Sequence, residues 1–145
     1  MSERTPPDGA VYSHAAAVLP VRELARARDF YRDRLGFSVE FEWEDPPTYA
    51  VLRAGSGRSG SDAGREVSLH LSQVDPPAAG LDPEPIHPTM LYVFVHDVTG
   101  LHDTLLAEGV DISFPLQDLE YGMREFEIRD PDGHRLVFGQ GVSDA

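Results

Sequence analysis

The chain spells out one order of elements twice, and that repeat limits its fold more than any other feature. Residues 22–35 (RELARARDFYRDRL) place Leu24, Ala27, Tyr31 and Leu35 at helical spacing and stop at Gly36. Residues 98–107 do the same with Leu101, Leu105 and Leu106, and stop at Gly109. A strand candidate precedes each helix, at 11–20 and at 89–95, and three follow it. After the first helix these are 37–43, 49–54 and 66–72. After the second they are a short strand near 110–113 followed by a loop with Pro115, then 121–129 and 135–139. The order is βαβββ twice. Neither half can cover both faces of its own sheet, so the halves must pack together. The expected fold is α+β, two βαβββ modules forming a curved mixed sheet with a concave face.

The units follow from this. Residues 1–10 read as a polar arm, 11–72 as the first module, 73–88 as a connector with five prolines, 89–140 as the second module and 141–145 as a tail. A chain of 145 residues suits one structural domain. The segment 55–64 contains Gly55-Ser56-Gly57-Arg58-Ser59-Gly60. A strand follows it rather than a helix, so it reads as a hairpin loop and not as a dinucleotide cradle.

Composition removes whole classes of chemistry. Twelve basic residues, all Arg, stand against twenty-five acidic ones, for a net charge of −13. Such a surface repels phosphate backbones and attracts cations, which argues against nucleic acid as partner. Without Lys there is no Schiff base, and without Cys no disulfide or thiolate. No run is long and apolar enough for a membrane span, and the first residues lack the apolar stretch of a leader, so the expected compartment is the cytoplasm.

Strand alternation divides the side chains between two faces. Val67, Leu69, Leu71, Leu91, Val93, Phe126, Ile128, Leu136 and Phe138 form a plain apolar set. Opposite them stand Ser68, His70, Ser72, Met90, Tyr92, Phe94, Met123, Glu125, Glu127, Arg129, Arg135, Val137 and Gly139. An apolar wall with a few polar groups is what a small-molecule site requires. In 37–43, Phe37, Val39, Phe41 and Trp43 alternate with polar residues and should share one face.

Two motifs then bring in a family. Val21-Arg22-Glu23-Leu24-Ala25-Arg26-Ala27-Arg28-Asp29-Phe30-Tyr31 with Leu35-Gly36-Phe37, and Arg124-Glu125-Phe126-Glu127-Ile128-Arg129-Asp130-Pro131-Asp132-Gly133, resemble the vicinal-oxygen-chelate superfamily of glyoxalase I, bleomycin-resistance proteins and extradiol dioxygenases. The resemblance runs over about residues 11–140. It implies homodimers, with clefts formed between modules. It also places the family's four metal ligands at Ala16, His70, Met90 and Val137. Only His70 is a normal ligand for a divalent ion. The resemblance therefore implies no metal and no cofactor, and a kinship with the drug-sequestering, bleomycin-resistance branch. Tyr121-Gly122-Met123-Arg124-Glu125-Phe126 is similar to that branch's Trp-Gly-Arg-Glu-Phe segment, and Tyr92 and Phe94 stand where the branch has two tryptophans.

The expected function is metal-independent binding of a small aromatic, cationic molecule, with antibiotic resistance as the implied role. Tyr92, Phe94 and Trp43 would stack, and His70, Glu125, Glu127 and Arg53 would make polar contacts. His14 and Met90 would complete the wall. Plainer roles stand beside these. His70 could serve packing, Glu125 and Glu127 could pair with Arg53, Arg124 or Arg129, and Tyr92, Phe94 and Trp43 could be core or dimer contacts. The competing class is a lyase, isomerase or dioxygenase-like enzyme. It would use either a shifted metal held by His14, His70 and Glu127, or metal-free acid–base chemistry.

Overall fold

The computed structural model describes residues 14–55 and 66–142. The arm at 1–10, the start of the first strand candidate, most of the glycine-rich loop and the last three residues lie outside them. The first module comprises β1 (Ala17–Val21), α1 (Leu24–Asp29) continued by a π-helical turn (Phe30–Arg34), β2 (Ser38–Trp43), β3 (Tyr49–Ala54) and β4 (Val67–Gln73). The second comprises β5 (Met90–Phe94), α2 (Val98–Ala107), β6 (Ile112–Asp118), β7 (Met123–Arg129) and β8 (Arg135–Gly141).

The two modules build equivalent four-stranded sheets, ordered β1-β4-β3-β2 and β5-β8-β7-β6. In each, the first strand runs parallel to the last and the other pairs are antiparallel. The α+β architecture of paired βαβββ modules is thus present, as two mixed sheets that do not close on one another. Each helix covers one face. Leu19, Val21, Leu24, Ala27, Leu52, Leu69 and Leu71 are buried in the first module, and Val93, Val98, Leu105, Phe126, Ile128 and Leu136 in the second. All belong to one continuous apolar cluster, so burial is shared between the modules.

The clasp between modules lies at the Asp130–His134 turn. The Tyr31 hydroxyl donates to Asp130 Oδ2 at 2.7 Å. Asp130 Oδ1 accepts from the backbone of Asp132 and His134 at 2.9 and 2.8 Å. Asp132 Oδ1 accepts from the Arg22 amide at 2.9 Å and from the Arg26 guanidinium at 3.3 Å. His134, fully buried, accepts from the Thr89 amide at Nδ1, so its Nε2 donates to the Pro20 carbonyl at 2.7 Å. The helix and turn motifs that carry the family resemblance are therefore the two sides of one inter-module joint.

Four expectations need correction. The first strand is paired only from Ala17, opposite Leu69; Ala15 and Ala16 have poor strand propensity and no partner on β4. The first helix is α-helical only from Leu24 to Asp29 and then widens into the π turn holding buried Tyr31. Gly36 closes it at φ +78, with the Phe37 amide bonded to the Tyr31 carbonyl. Residues 37–43 do not alternate on one face. The register shifts between Val39, opposite Leu52, and Phe41, opposite Val51, so a bulge turns Phe41 and Trp43 to the open side. Finally, Pro115 lies inside β6 rather than in a loop. β6 is an edge strand, and its register shifts between Phe114 and Gln117, where a missing amide is tolerated.

Candidate functional site

The helices leave the opposite face of each sheet open, and each open face exposes large apolar side chains among polar ones. On the first sheet Val18, Phe41 and Trp43 are exposed; on the second, Met90, Tyr92, Phe94 and Phe114 are. Large apolar side chains left exposed on a sheet face are the features from which ligand grooves and interfaces are built.

The second sheet carries the more organised face. Tyr92 and Phe94 point the same way from edge strand β5, with ring centroids 4.9 Å apart. Register puts Phe94 beside Gly139 on β8, and Gly139 beside Glu125 on β7. With no side chain at 139, the Tyr92 ring lies across β8 and its hydroxyl donates to Glu125 Oε2. A methyl group at 139 would come within 2.6 Å of Tyr92 Cζ. From the other side Tyr121, at the β6–β7 hairpin, donates to Glu125 Oε1 at 2.8 Å. Burial and the Glu125 carboxylate push the Tyr92 phenol well above its usual range, and the bond to Glu125 raises Tyr121 as well. Both phenols stay protonated and both carboxylate oxygens are engaged. Tyr92 and Phe94 also line a cleft of about 950 Å³ between the modules, with Ala16, Phe37, Ser68 and Leu101 on its other walls. That is ample for a small ligand.

The remaining expected residues divide between the two sheets. His70 lies between Val18 and Val51 on the first open face, its Nδ1 2.6 Å from the Tyr49 hydroxyl. Trp43 sits opposite Tyr49, and these residues with Phe41 line a shallower hollow of about 630 Å³. Arg53 Nε lies 2.8 Å from Glu66 Oε2, too oblique for a hydrogen bond. Glu127 is buried. Burial alone would push its carboxyl up, but hydrogen bonds from Arg135 and Ser113, with the Arg129 charge, hold it below the usual range. Arg124 pairs with Asp118. Met90 is exposed at the start of β5, and His14 is exposed ahead of β1. The structure thus brings Tyr92, Phe94 and Glu125 together and places Trp43, His70 and Arg53 on the other sheet.

Three residues shape the open faces without being among the expected site residues: Tyr121, Gly139 and Tyr49. Tyr121 stands immediately before turn glycine Gly122 (φ +84) and four residues before Glu125. Its place in the segment 121–126 was the available signal. Gly139 and Tyr49 become visible only through cross-strand register.

The family's metal-ligand positions do not fit a metal. Ala16, Met90 and Val137 offer no hard donor, and the Nδ1 of His70 is occupied by Tyr49. Among the described residues no group of three or more His, Asp or Glu could hold an ion. Among those residues, too, no helix is long and apolar enough to cross a membrane.

Comparison with known proteins agrees with this architecture. The profile of the Glyoxalase/Bleomycin resistance protein/Dioxygenase superfamily matches residues 12–138. The structure is similar to TioX from Micromonospora sp. ML1, with TM-score 0.71 and 24% identity over 90% of this chain and 100% of that one. It is similar to a lactoylglutathione lyase from Agrobacterium tumefaciens, with TM-score 0.65 and 18% identity over 94% and 96% of the two chains. A glyoxalase/bleomycin resistance protein/dioxygenase from Nocardioides aligns with TM-score 0.64 and 17% identity over 99% and 89%. No curated protein matches the chain.

Proposed function

The chain belongs to the Glyoxalase/Bleomycin resistance protein/Dioxygenase superfamily, and within it we propose a metal-independent binding protein for small, planar, cationic aromatic molecules, of the antibiotic-sequestering kind. The observation that carries this reading is the open face of the second sheet. Tyr92 and Phe94 offer ring faces for stacking, with Glu125 bonded to Tyr92 on one side and a cleft of about 950 Å³ lined by the two rings on the other. The net charge of −13 favours a cationic guest. The exposed Val18, Phe41 and Trp43 of the first sheet favour a homodimer in which a second copy covers part of this surface.

Thermal-shift titration with glycopeptide and quinone antibiotics tests the proposal. A true ligand raises the midpoint in step with its concentration. If no planar cationic compound stabilises the protein at any concentration, the reading is wrong.

One observation favours a second reading, a metal-free acid–base enzyme: the Tyr49–His70 pair, 2.6 Å apart on the first open face. Turnover that disappears in His70→Ala and persists in chelator would select it.

A further inference from the structure

Several carboxylates of this protein that lie on or beside its sheets are matched with cations. Glu127 meets Arg135 and Arg129, Asp118 meets Arg124, Glu66 meets Arg53, Glu42 meets Arg28, and Asp132 meets Arg22 and Arg26. Glu125 differs. Among the described residues it has no cationic partner. Its two oxygens accept one phenol each, from Tyr92 on β5 and from Tyr121 at the β6–β7 hairpin. Those bonds orient the carboxylate without neutralising it. They also hold Tyr92 flat across β8, where only a glycine at 139 leaves room. The result is a fixed negative charge between two phenols, with the Phe94 ring, 75% exposed, tilted against Tyr92.

We infer that the Tyr92–Glu125–Tyr121 clasp is the charge-selecting element of the site: it favours an aromatic ring bearing a fixed positive charge over its neutral twin, and Tyr121 and Gly139 are the positioning residues that set this preference. The inference rests on the proposed binding of aromatic guests and specifies what distinguishes one guest from another. Stacking takes any planar ring, charged or neutral, since every one has a face to offer. An unneutralised carboxylate is not indifferent to charge. A cation over the Tyr92–Phe94 rings gains both the attraction of the ring faces and that of Glu125, partly shielded from water by the surrounding rings. Phenol protons already committed to Glu125 also leave the phenol oxygens, not the protons, facing an incoming ligand.

The test uses two probes of one shape, N-methylacridinium and acridine, titrated by fluorescence at a mildly alkaline pH where acridine is neutral. The full chain should bind the cation about tenfold more tightly than the neutral ring. Glu125→Gln should lower that ratio about fivefold, leaving only the preference of the ring faces for a cation, with acridine affinity within about twofold. Tyr121→Phe should lower the ratio about threefold through loss of orientation, without touching the stacking rings. Gly139→Ala should lower it by displacing Tyr92. Equal binding of the two dyes by the natural chain, or an unchanged ratio in Glu125→Gln, overturns the clasp and leaves the aromatic-binding function standing. Binding of neither dye overturns that function and the clasp with it. A measurement without ligand adds an independent arm. Spectrophotometric titration should show phenols of Glu125→Gln ionising at lower pH than in the natural chain, and an unchanged curve contradicts the clasp.

Discussion

Replacing Tyr31 by Phe removes a single oxygen from the joint between the modules, so its cost can be worked out closely. The Tyr31 side chain is fully buried and its ring packs edge-on against Phe30 and Phe37, at 5.4 and 5.7 Å between centroids. Phe retains all of that packing. What disappears is the 2.7 Å hydrogen bond to Asp130 Oδ2, ninety-nine residues away in sequence. A hydrogen bond to a charged group contributes about 1.5–3 kcal/mol. Asp130 Oδ1 keeps its two backbone amides, which favours the middle of that range, about 2 kcal/mol. For a domain of this size the melting midpoint should fall by about 4–8 °C, read by circular dichroism or calorimetry. Asp130→Asn combined with Tyr31→Phe should cost clearly less than the sum of the two single changes, because the partners act on each other. A midpoint within about 1 °C of the natural chain, or strict additivity of the pair, would refute the view that this contact fastens the modules.

Other outcomes follow from the same geometry. Asp97 accepts from the Gly100 amide at 3.0 Å and caps α2, so Asp97→Ala should cost about 1 kcal/mol in urea unfolding. The carboxyl of Glu127 is held below its ordinary 4.5 in the folded chain. Its contribution is therefore present above that value and is lost as the pH falls through the lower folded value. Stability curves of Glu127→Gln should start lower at neutral pH and fall less steeply in acid; parallel curves would contradict the pairing with Arg135. Gly139→Ala should leave the fold intact by circular dichroism yet shift the tyrosine absorbance spectrum, because Tyr92 can no longer cross β8; an identical spectrum would deny that crossing.

Much of the fold was legible because it rests on local pattern. Helical spacing ended by Gly36 and Gly109 marked both helices, and the repeat of the element order revealed the paired modules. The failures have local causes as well. Alternation through 37–43 assumed an unbroken ladder, and one extra residue near Glu40 turned Phe41 and Trp43 over. Pro115 suggested a loop because its place at a sheet edge is a tertiary fact. The site was legible in part for the same reason. Tyr92, Phe94 and Glu125 could be assigned to one face from alternation alone. The contribution of Tyr121 and Gly139 depends on which residues oppose each other across three strands, and no local pattern states that register. Glu127 matched Glu125 in spacing, yet Arg135 and Ser113 draw it into a buried pair.

In the proposed function the open face of the second sheet holds the guest. Calorimetric titration of N-methylacridinium into the natural chain and into the Tyr92→Ala/Phe94→Ala double variant measures this directly. Two stacking rings at about 0.5–1.5 kcal/mol each predict a loss of about 5- to 150-fold in affinity with the fold unchanged. A double variant that binds within about twofold of the natural chain would place the guest elsewhere and contradict the account.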